Sequence, residues 1–440
     1  MIDLARHIPA WLLTRLPVRR ARQYAGVATE ITAPTRSDST LQLLVDVSVI
    51  HRSDARTGIQ RVVRALLLQL LKMPPAGYRV CPVYSTRQHG YVYADAQFLD
   101  TPAGKGQLAL RPVETQSGDV FLALDLAAHL LPRHQGQVLQ WKRAGVKLHV
   151  LVYDLLPLQH PEWFPSKTER NFKRWIRWIA VYADNAICIS ENVKIELQDY
   201  LNVRFGLPAA ALPKTTIALG ADISASAPSN GLPVNAKTLL AHLRKIPSVL
   251  MVGTIEPRKG HDQALAAFER LWQQPGLACS LVLVGRAGWK TEALQAQLRN
   301  HPEAGKRLFW PENVSDEYLV QLYEACGGVL VASRAEGFGL PVIEAALYGK
   351  PILARDLPVF REIGLSGITF FADQDAESLA CAIQAWLAKE HHEHNLKLHE
   401  NVVTWQTSAK QLLCSLGLIL ESHVTVEENR SKTLVQGAVS

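Results

Sequence analysis

Two glutamates, eight positions apart, are the residues best placed to do chemistry. Glu336 and Glu344 lie in the string SRAEGFGLPVIE (333–344), which follows an apolar, strand-like run. Pro341 is typical of a first helical turn, so the string predicts a glycine-containing loop that enters a helix. Amides at a helix start attract anions, whereas carboxylates accept hydrogen bonds from hydroxyl groups. The combination favours a ligand with both phosphates and hydroxyls, such as a nucleotide sugar. A capped helix with solvated glutamates is the alternative.

A basic loop supplies complementary charge. The string GTIEPRKG (253–260) follows a second buried strand and precedes a helix. Arg258 and Lys259 are suited to meeting a diphosphate at the strand end, and Gly260 permits close approach of the backbone. An ordinary solvated basic loop is the alternative.

Both strings lie in the second of two series of alternating strands and helices, which begin near residues 41 and 246. A stretch rich in Ser, Pro and Gly, SASAPSNGLPVN (224–235), indicates a linker between them. Such alternation predicts parallel sheets covered on both faces, with ligands at the carboxyl ends of the strands. We therefore expect an α/β protein with two doubly wound domains and a cleft between them. The predicted organisation is a basic amphipathic leader and linker at 1–40, an N-terminal domain at 41–235, a C-terminal domain at 236–402, a helix at 403–420 and a disordered tail at 421–440.

The amino-acid composition limits the kinds of ligand and surface that the protein is expected to bind. The 440 residues include 47 Lys and Arg against 40 Asp and Glu, a net charge of +7. This bias suits phosphate-bearing ligands or an anionic membrane surface but falls short of a nucleic-acid signature. The six cysteines form no CxxC pair, which favours a reducing, cytoplasmic location. No uncharged apolar run reaches the roughly 18 residues of a transmembrane helix.

The first 26 residues mix apolar and basic side chains. Trp11, Leu12, Leu13 and Leu16 stand among five arginines within the first 22 positions. The segment lacks the apolar core and cleavage site of a signal peptide. It predicts peripheral association with an anionic membrane surface, with a solvated leader as the alternative.

Taken together, these strings resemble family 4 of the retaining nucleotide-sugar glycosyltransferases, which includes bacterial mannosyltransferases. The family hallmark, a Glu followed by seven residues and a second Glu, is met by Glu336 and Glu344. Further similar segments follow in family order: TGIQRVVR (57–64), YDLLPLQHPEWF (153–164), ICISENVKIEL (187–197), LGAD (219–222) and VTWQTSAKQLL (403–413). The resemblance implies the GT-B fold, with two Rossmann-like domains, an inter-domain cleft, an N-terminal acceptor domain and a C-terminal donor domain. It also implies that the last helix packs back on the first domain.

The resemblance assigns roles in the C-terminal domain. Lys259 would bind the donor diphosphate with Arg258 nearby, and Glu344 would hold the ribose hydroxyls. Glu336 would hold the donor sugar and phosphate together with three backbone amides, those of Phe338, Gly339 and Leu340. Thr254 would also contact the donor, although many members have Arg at that position.

In the N-terminal domain, the resemblance implies that Gly58 lets a loop close over the diphosphate. Asp154 is a catalytic candidate, with a purely structural carboxylate as the alternative. Tyr153 stands where many members have a His that touches the donor sugar.

The implied reaction transfers a hexose from a nucleotide diphosphate to an acceptor hydroxyl with retention. We expect GDP-mannose as donor, with UDP- or dTDP-sugars as alternatives, and a glycan or lipid-linked oligosaccharide acceptor in surface polysaccharide or lipopolysaccharide assembly. We expect no cofactor and no metal, because Arg258 and Lys259 can serve the leaving group. Asp373 and Asp375 match an Asp-x-Asp metal motif, but helix capping is the better interpretation. The competing functions are a nucleotide-sugar 2-epimerase of the same fold and an inactive sugar-binding partner.

Overall fold

The computed structural model describes residues 7–27, 40–54, 56–95, 98–99, 110–312, 314–372, 375–389 and 403–420. The chain divides into two compact units. The first contains the described residues up to Leu158, then Ser166–Leu219, then those from Trp405 onward. The second contains Gln159–Pro165 and Gly220–Thr404.

The division falls after Leu219, earlier than the predicted boundary at residues 235 and 236. Ala221 and Ile223 are buried in the core of the second unit, together with Ala236. The stretch 224–235, predicted as a linker between domains, therefore lies within the second unit.

A seven-stranded sheet forms the centre of the first unit, in the order β3-β2-β1-β4-β5-β6-β7. All neighbours are parallel except β2 and β3. Its strands are β1 Leu41–Asp46, β2 Tyr78–Tyr84, β3 Val92–Tyr93, β4 Val120–Ala123, β5 Lys147–Val152, β6 Asn185–Cys188 and β7 Lys214–Thr216. The helices are Ala10–Leu13, Val18–Ala25, Ser48–Arg52, Gly58–Lys72, Gln135–Arg143, Leu156–Gln159, Ser166–Tyr182, Glu191–Phe205 and Trp405–Ser415. β4 is wholly apolar and β1 is apolar except for Gln42 and Asp46, because both faces of a parallel sheet are covered.

Residues 7–27 are part of this unit, which corrects their assignment to a leader. Leu13 and Ala21 are fully buried in its core. The guanidinium of Arg22 points inward, and burial lowers its pKa. It donates hydrogen bonds to three backbone carbonyls, those of Ala180, Ala183 and Ala211. The apolar stripe of this segment is thus covered by the protein itself.

The last described helix, Trp405–Ser415, also belongs to the first unit and contacts the helix Gly58–Lys72. The Asn185 side chain donates to the Ser415 carbonyl at 2.9 Å, and Gln411 accepts from the Ala218 amide at 2.9 Å. Residues 1–6 and 28–39 of the predicted leader and linker, the tail from 421 and Asp373 lie outside the described residues.

The second unit is built on six parallel strands in the order β10-β9-β8-β11-β12-β13. They are β8 Ser248–Val252, β9 Ser280–Val284, β10 Leu308–Phe309, β11 Gly328–Val331, β12 Ile352–Arg355 and β13 Ile368–Phe371. The helices are Ala236–Leu243, His261–Trp272, Glu292–Asn300, Asp316–Ala325, Leu340–Leu347, Pro358–Glu362 and Ala376–Leu387. β8 and β11 are hydrogen-bonded neighbours, so the loops that leave their carboxyl ends start side by side.

Four of the six cysteines are buried, whereas Cys381 and Cys414 reach solvent. Burial raises the pKa of Cys188 to about 12, so this thiol stays protonated at neutral pH. Within the described ranges, no helix has the length and apolar character needed to cross a bilayer.

Candidate active site

The two loops that carry the sequence motifs are tied together by backbone contacts. The loop after β8 contains a short 3-10 helix, Pro257–Lys259. The Arg334 amide, in the loop after β11, donates to the Arg258 carbonyl at 2.7 Å. The Arg334 guanidinium donates to the Pro257 carbonyl at 2.6 Å. Adjacent parallel strands therefore deliver both motifs to one edge of the sheet.

Glu336 lies between the two predicted cations. Lys259 Nζ donates to Glu336 Oε1 at 2.5 Å, and Arg258 Nη1 donates to Oε2 at 2.7 Å. Ser333 Oγ also donates to Oε1, at 2.7 Å. The second guanidinium nitrogen of Arg258 binds Glu256 at 3.1 Å. Since the side chain of Glu336 is only 8% exposed, this is a largely desolvated, charge-assisted cluster.

The charge state of Glu336 follows from this surrounding. Burial opposes ionisation of the carboxyl, but the nearby charges of Lys259 and Arg258 outweigh it and lower the pKa to about 2. Glu336 is therefore an anion at every pH at which the protein would work.

Two glycines allow the cations to sit so close to the sheet. Gly253 has φ of 148°, and a Cβ there would lie 3.1 Å from Lys259 Cε. Gly260 has φ of 71°, and a Cβ there would lie 2.3 Å from the Ala332 carbonyl oxygen. Any other residue at position 260 would push the loops apart, so glycine holds the Lys259 amine against Glu336.

A helix start adjoins the cluster. Gly339, with φ of 108°, precedes the helix Leu340–Leu347, and Pro341 lies in its first turn. The first amides of a helix have no acceptor within it and can bind an anion. The structure thus places the amides predicted to hold donor phosphate, those of Phe338, Gly339 and Leu340, in a loop-to-helix junction two to four residues after Glu336.

Glu344 is the fifth residue of that helix and is buried, with 2% of its surface exposed. Its Oε2 accepts a hydrogen bond from the phenol of Tyr323 at 2.7 Å. Tyr323 in turn stacks on Tyr348, with ring centroids 5.2 Å apart. The buried phenol of Tyr323 therefore orients this carboxylate, and its contact with a ligand stays a prediction.

Thr254 is half-buried in the loop after β8. Its methyl group packs near Gly288, where a Cβ would lie 3.0 Å from Thr254 Cγ2. Asp375 caps the helix Ala376–Leu387 by accepting from the Ser378 amide at 2.8 Å. This contact accounts for Asp375 as a helix cap, the interpretation preferred from the sequence.

Three residues singled out in the N-terminal domain belong to the first unit. Gly58 is the first residue of a helix and not part of a flexible loop, because Thr57 and Gln60 form a capping box around it. Asp154 Oδ1 accepts from the Leu156 amide at 3.1 Å. Tyr153 is buried and donates to the Leu124 carbonyl at 2.8 Å. The proton of its hydroxyl group is therefore donated within the first unit.

Four residues that build the site have no role among the sequence-based predictions. Ser333 and Arg334 hold Glu336 and the two loops, and Tyr323 orients Glu344. His261 is buried behind the cations, where burial and then Lys259 lower its pKa to about 3, so its imidazole is neutral. Ser333 and Arg334 lie inside the hallmark string, which was a usable signal. Tyr323 had none, because it contacts Glu344 only through the packing of two helices.

Comparison with known proteins agrees with this geometry. Residues 241–403 match the family described as glycosyl transferases group 1. The chain is 41% identical over 397 residues to the serotype-specific mannosyltransferase WbdA of Escherichia coli, covering 90% of this chain and 48% of that protein. It is 28% identical over 215 residues to the O-antigen chain mannosyltransferase B of Escherichia coli, covering 48% of this chain and 53% of that protein. The chain spans about half the length of these curated relatives.

Solved structures share the fold. Sucrose-phosphate synthase from Thermosynechococcus elongatus superposes with a TM-score of 0.58 at 19% identity, over 84% of this chain and 97% of that one. Anabaena Alr3699/HepE in complex with UDP gives a TM-score of 0.57 at 18% identity, over 86% of this chain and 100% of that one. The fold is that of the GT-B glycosyltransferases. Residues 241–403, which match the glycosyl transferases group 1 family, lie within the second unit.

Proposed function

We propose that this chain is a retaining mannosyltransferase that moves mannose from GDP-mannose to a hydroxyl of a glycan or lipid-linked acceptor. The two curated relatives named above are mannosyltransferases, one serotype-specific and the other of the O-antigen chain, which supports assembly of a surface polysaccharide or lipopolysaccharide. The observation that carries the proposal is the cluster of Lys259, Arg258 and Glu336 beside a helix start.

The cluster suits departure of a nucleoside diphosphate. Negative charge grows on the leaving diphosphate as the bond to the sugar breaks, and preorganised cations and amides stabilise it. Lys259 and Arg258 are held in place by Glu336 before any ligand arrives, so little reorganisation is needed. The same fixed cations make a metal ion unnecessary for the leaving group.

Glu336 has an electrostatic role in this proposal. With a pKa of about 2 it is too weak a base to take a proton from an acceptor hydroxyl near neutral pH. Its negative charge instead favours the positive charge that develops on the sugar. The acceptor proton would then pass to the departing diphosphate, with attack on the face from which it leaves.

Glu344 would bind the ribose hydroxyls of the donor, with Tyr323 fixing the carboxylate. A hydrogen bond from the phenol leaves further lone pairs on a carboxylate, which has about four acceptor positions.

We further propose a cytoplasmic enzyme that touches the inner face of the membrane through its N-terminal segment. Trp11 is 59% exposed, Arg15 stacks on it at 5.4 Å, and Arg20 is exposed. Because Leu13 and Ala21 are core residues, deletion of the segment would unfold the unit. The test is the triple substitution Trp11→Ala, Arg15→Gln, Arg20→Gln, which should weaken binding to anionic vesicles at low salt and leave donor binding intact. Equal vesicle binding by both proteins would contradict the proposal.

The function is tested by incubating the full chain with GDP-mannose, UDP- and dTDP-sugars, with and without a mannose-terminated acceptor. We expect mannose transfer from GDP-mannose only, with the anomeric configuration retained by NMR, and equal rates in excess EDTA. A changed nucleotide sugar without acceptor would indicate an epimerase. Donor binding without any product would indicate an inactive sugar-binding partner.

A further inference from the structure

Three exposed arginines converge at the carboxyl edge of the first unit's sheet. Arg52 ends the helix after β1, Arg87 follows β2, and Arg133 lies in the turn before the helix Gln135–Arg143. Within the described part of the chain, none of the three has a carboxylate partner. His129 is half-buried among them: burial, then Arg87, Arg52 and Arg133, lower its pKa. We call these three residues the arginine cluster.

The loops that carry the cluster are fixed to one another. His51, next to Arg52, stacks on Tyr84 with ring centroids 3.7 Å apart. Tyr84 meets His89 edge-on at 5.6 Å. His134, next to Arg133, lies 2.6 Å from the Thr86 carbonyl through Nε2. Ring stacking and this hydrogen bond bring the three segments together. Packing of the loops therefore places the three arginines close to one another.

A cavity of about 490 Å³ opens beside the cluster. Its lining includes the polar side chains of Arg133, His134 and His89. Val92, Leu110 and Pro112 contribute an apolar wall. Gln137 holds this wall by accepting from the Tyr91 amide at 2.8 Å. The cavity thus joins the positive charge of Arg133 to apolar surface within one unit.

We propose that the arginine cluster binds the diphosphate of a lipid-linked acceptor, and that the apolar wall takes the first part of its hydrocarbon chain. A diphosphate carries two to three negative charges and is best held by several guanidinium groups, which present paired donors to phosphate oxygens. A neutral glycan would offer these three arginines no anionic partner. This inference rests on the proposed function and specifies its acceptor.

Calorimetric titration of the full chain with geranyl diphosphate, at saturating GDP, tests the proposal. GDP fills the diphosphate site proposed at Lys259, so binding at the arginine cluster appears as one further equivalent. The double variant Arg87→Gln, Arg133→Gln should weaken this binding at least tenfold and leave GDP affinity unchanged. Arg174→Gln, an exposed arginine on the helix Ser166–Tyr182, is the matched control and should bind as the wild type does.

Two further probes separate the parts of the ligand. Geraniol should not bind, and inorganic diphosphate should bind at least tenfold more weakly than geranyl diphosphate. The absence of a further equivalent, or an equal loss in Arg174→Gln, would overturn the proposal. Inorganic diphosphate binding as tightly as geranyl diphosphate would overturn the lipid-linked assignment. If GDP itself fails to bind, the proposed function is wrong, while the geranyl diphosphate titration still reports on the arginine cluster.

Discussion

Buried carboxyl groups lie at the carboxyl edge of both sheets, but their proton affinities are shifted in opposite directions. In the second unit, Lys259 and Arg258 overcome the effect of burial and lower the pKa of Glu336 to about 2. In the first unit, burial raises the pKa of Asp46 to about 6 and that of Asp125 to about 7. Burial is the largest effect in all three cases, so a neighbouring cation decides the direction.

The hydrogen bonds explain why the pKa values of Asp46 and Asp125 are not lowered as that of Glu336 is. Asp125 Oδ2 accepts from the amides of Val49 and Ile50 at 2.7 and 2.9 Å. Asp46 accepts from the hydroxyl groups of Ser48 and Tyr91. Neutral donors stabilise a carboxylate less than a cation does, and Asp46 and Asp125 also repel each other. Glu336 therefore stays charged within its ion cluster, whereas Asp125 and Asp46 take up protons as the pH falls through about 7 and about 6, respectively.

The largest effect is expected from substitution of Lys259 in the second unit. Lys259→Ala should lower kcat/KM for the donor by about 100- to 1,000-fold, or roughly 3–4 kcal/mol, the range for losing one preorganised charge-stabilising group. Steady-state rates with GDP-mannose measure this. Lys245→Ala, an exposed lysine of the same unit, is the control. Near-wild-type turnover of Lys259→Ala at saturating donor would remove the residue from the site.

Substitution of Glu336 should affect GDP binding and turnover differently. Glu336→Gln keeps the shape but removes the charge that opposes an incoming diphosphate. GDP should bind at least as tightly as to the wild type, while turnover should fall about 10- to 100-fold, consistent with loss of a charge-assisted contact worth about 1.5–3 kcal/mol. Calorimetry with GDP and initial rates test the split. A tenfold loss of GDP affinity would show that Glu336 acts mainly by holding the cations in place.

The pH dependence of stability should differ between the two edges. An acid whose folded pKa is raised binds more protons in the folded state, so it destabilises the fold as pH rises from about 4 to 7. Asp125→Asn should therefore lose less stability than the wild type between pH 5 and pH 8, by up to a few kcal/mol. Glu336, with its lowered pKa, contributes its stabilisation above about pH 4.5 and loses it only in more acidic solution.

Thermal unfolding of both proteins at pH 5 and pH 8 measures this difference. Asp199→Asn, an exposed aspartate on the helix Glu191–Phe205, should retain the wild-type pH dependence. A wild-type change in Tm that Asp125→Asn reproduces in full would assign the dependence to other groups.

The smallest effect should come from the phenol behind Glu344. Tyr323→Phe removes one hydrogen bond to a carboxylate and should weaken GDP binding about three- to tenfold, since net hydrogen bonds contribute about 0.5–1.5 kcal/mol. Tyr318→Phe, on the same helix and equally buried, is the control. If both variants bind GDP as the wild type does, Tyr323 serves only the fold.

Much of the site could be predicted from local sequence. Pro341 and the glycines around it mark a loop-to-helix junction, and the apolar runs before positions 253 and 333 mark buried strands. These signals depend on backbone preferences and hydrophobic periodicity within about ten residues, so a single sequence is enough to detect them. The position of Gly58 at a helix start also has a local signal, because Thr57 and Gln60 have capping-box spacing.

Other features depended on the tertiary structure. The segment 7–27 has an apolar stripe that either a membrane or a protein core could cover, and only packing showed that the core covers Leu13 and Ala21. The contact between Lys259 and Glu336 joins residues 77 positions apart, and it exists because β8 and β11 pair. A sequence specifies which residues end their strands, but the order of strands in the sheet decides which of those ends become neighbours. The charge of a buried group follows from its neighbours, and so only the fold could separate Glu336 from Asp125.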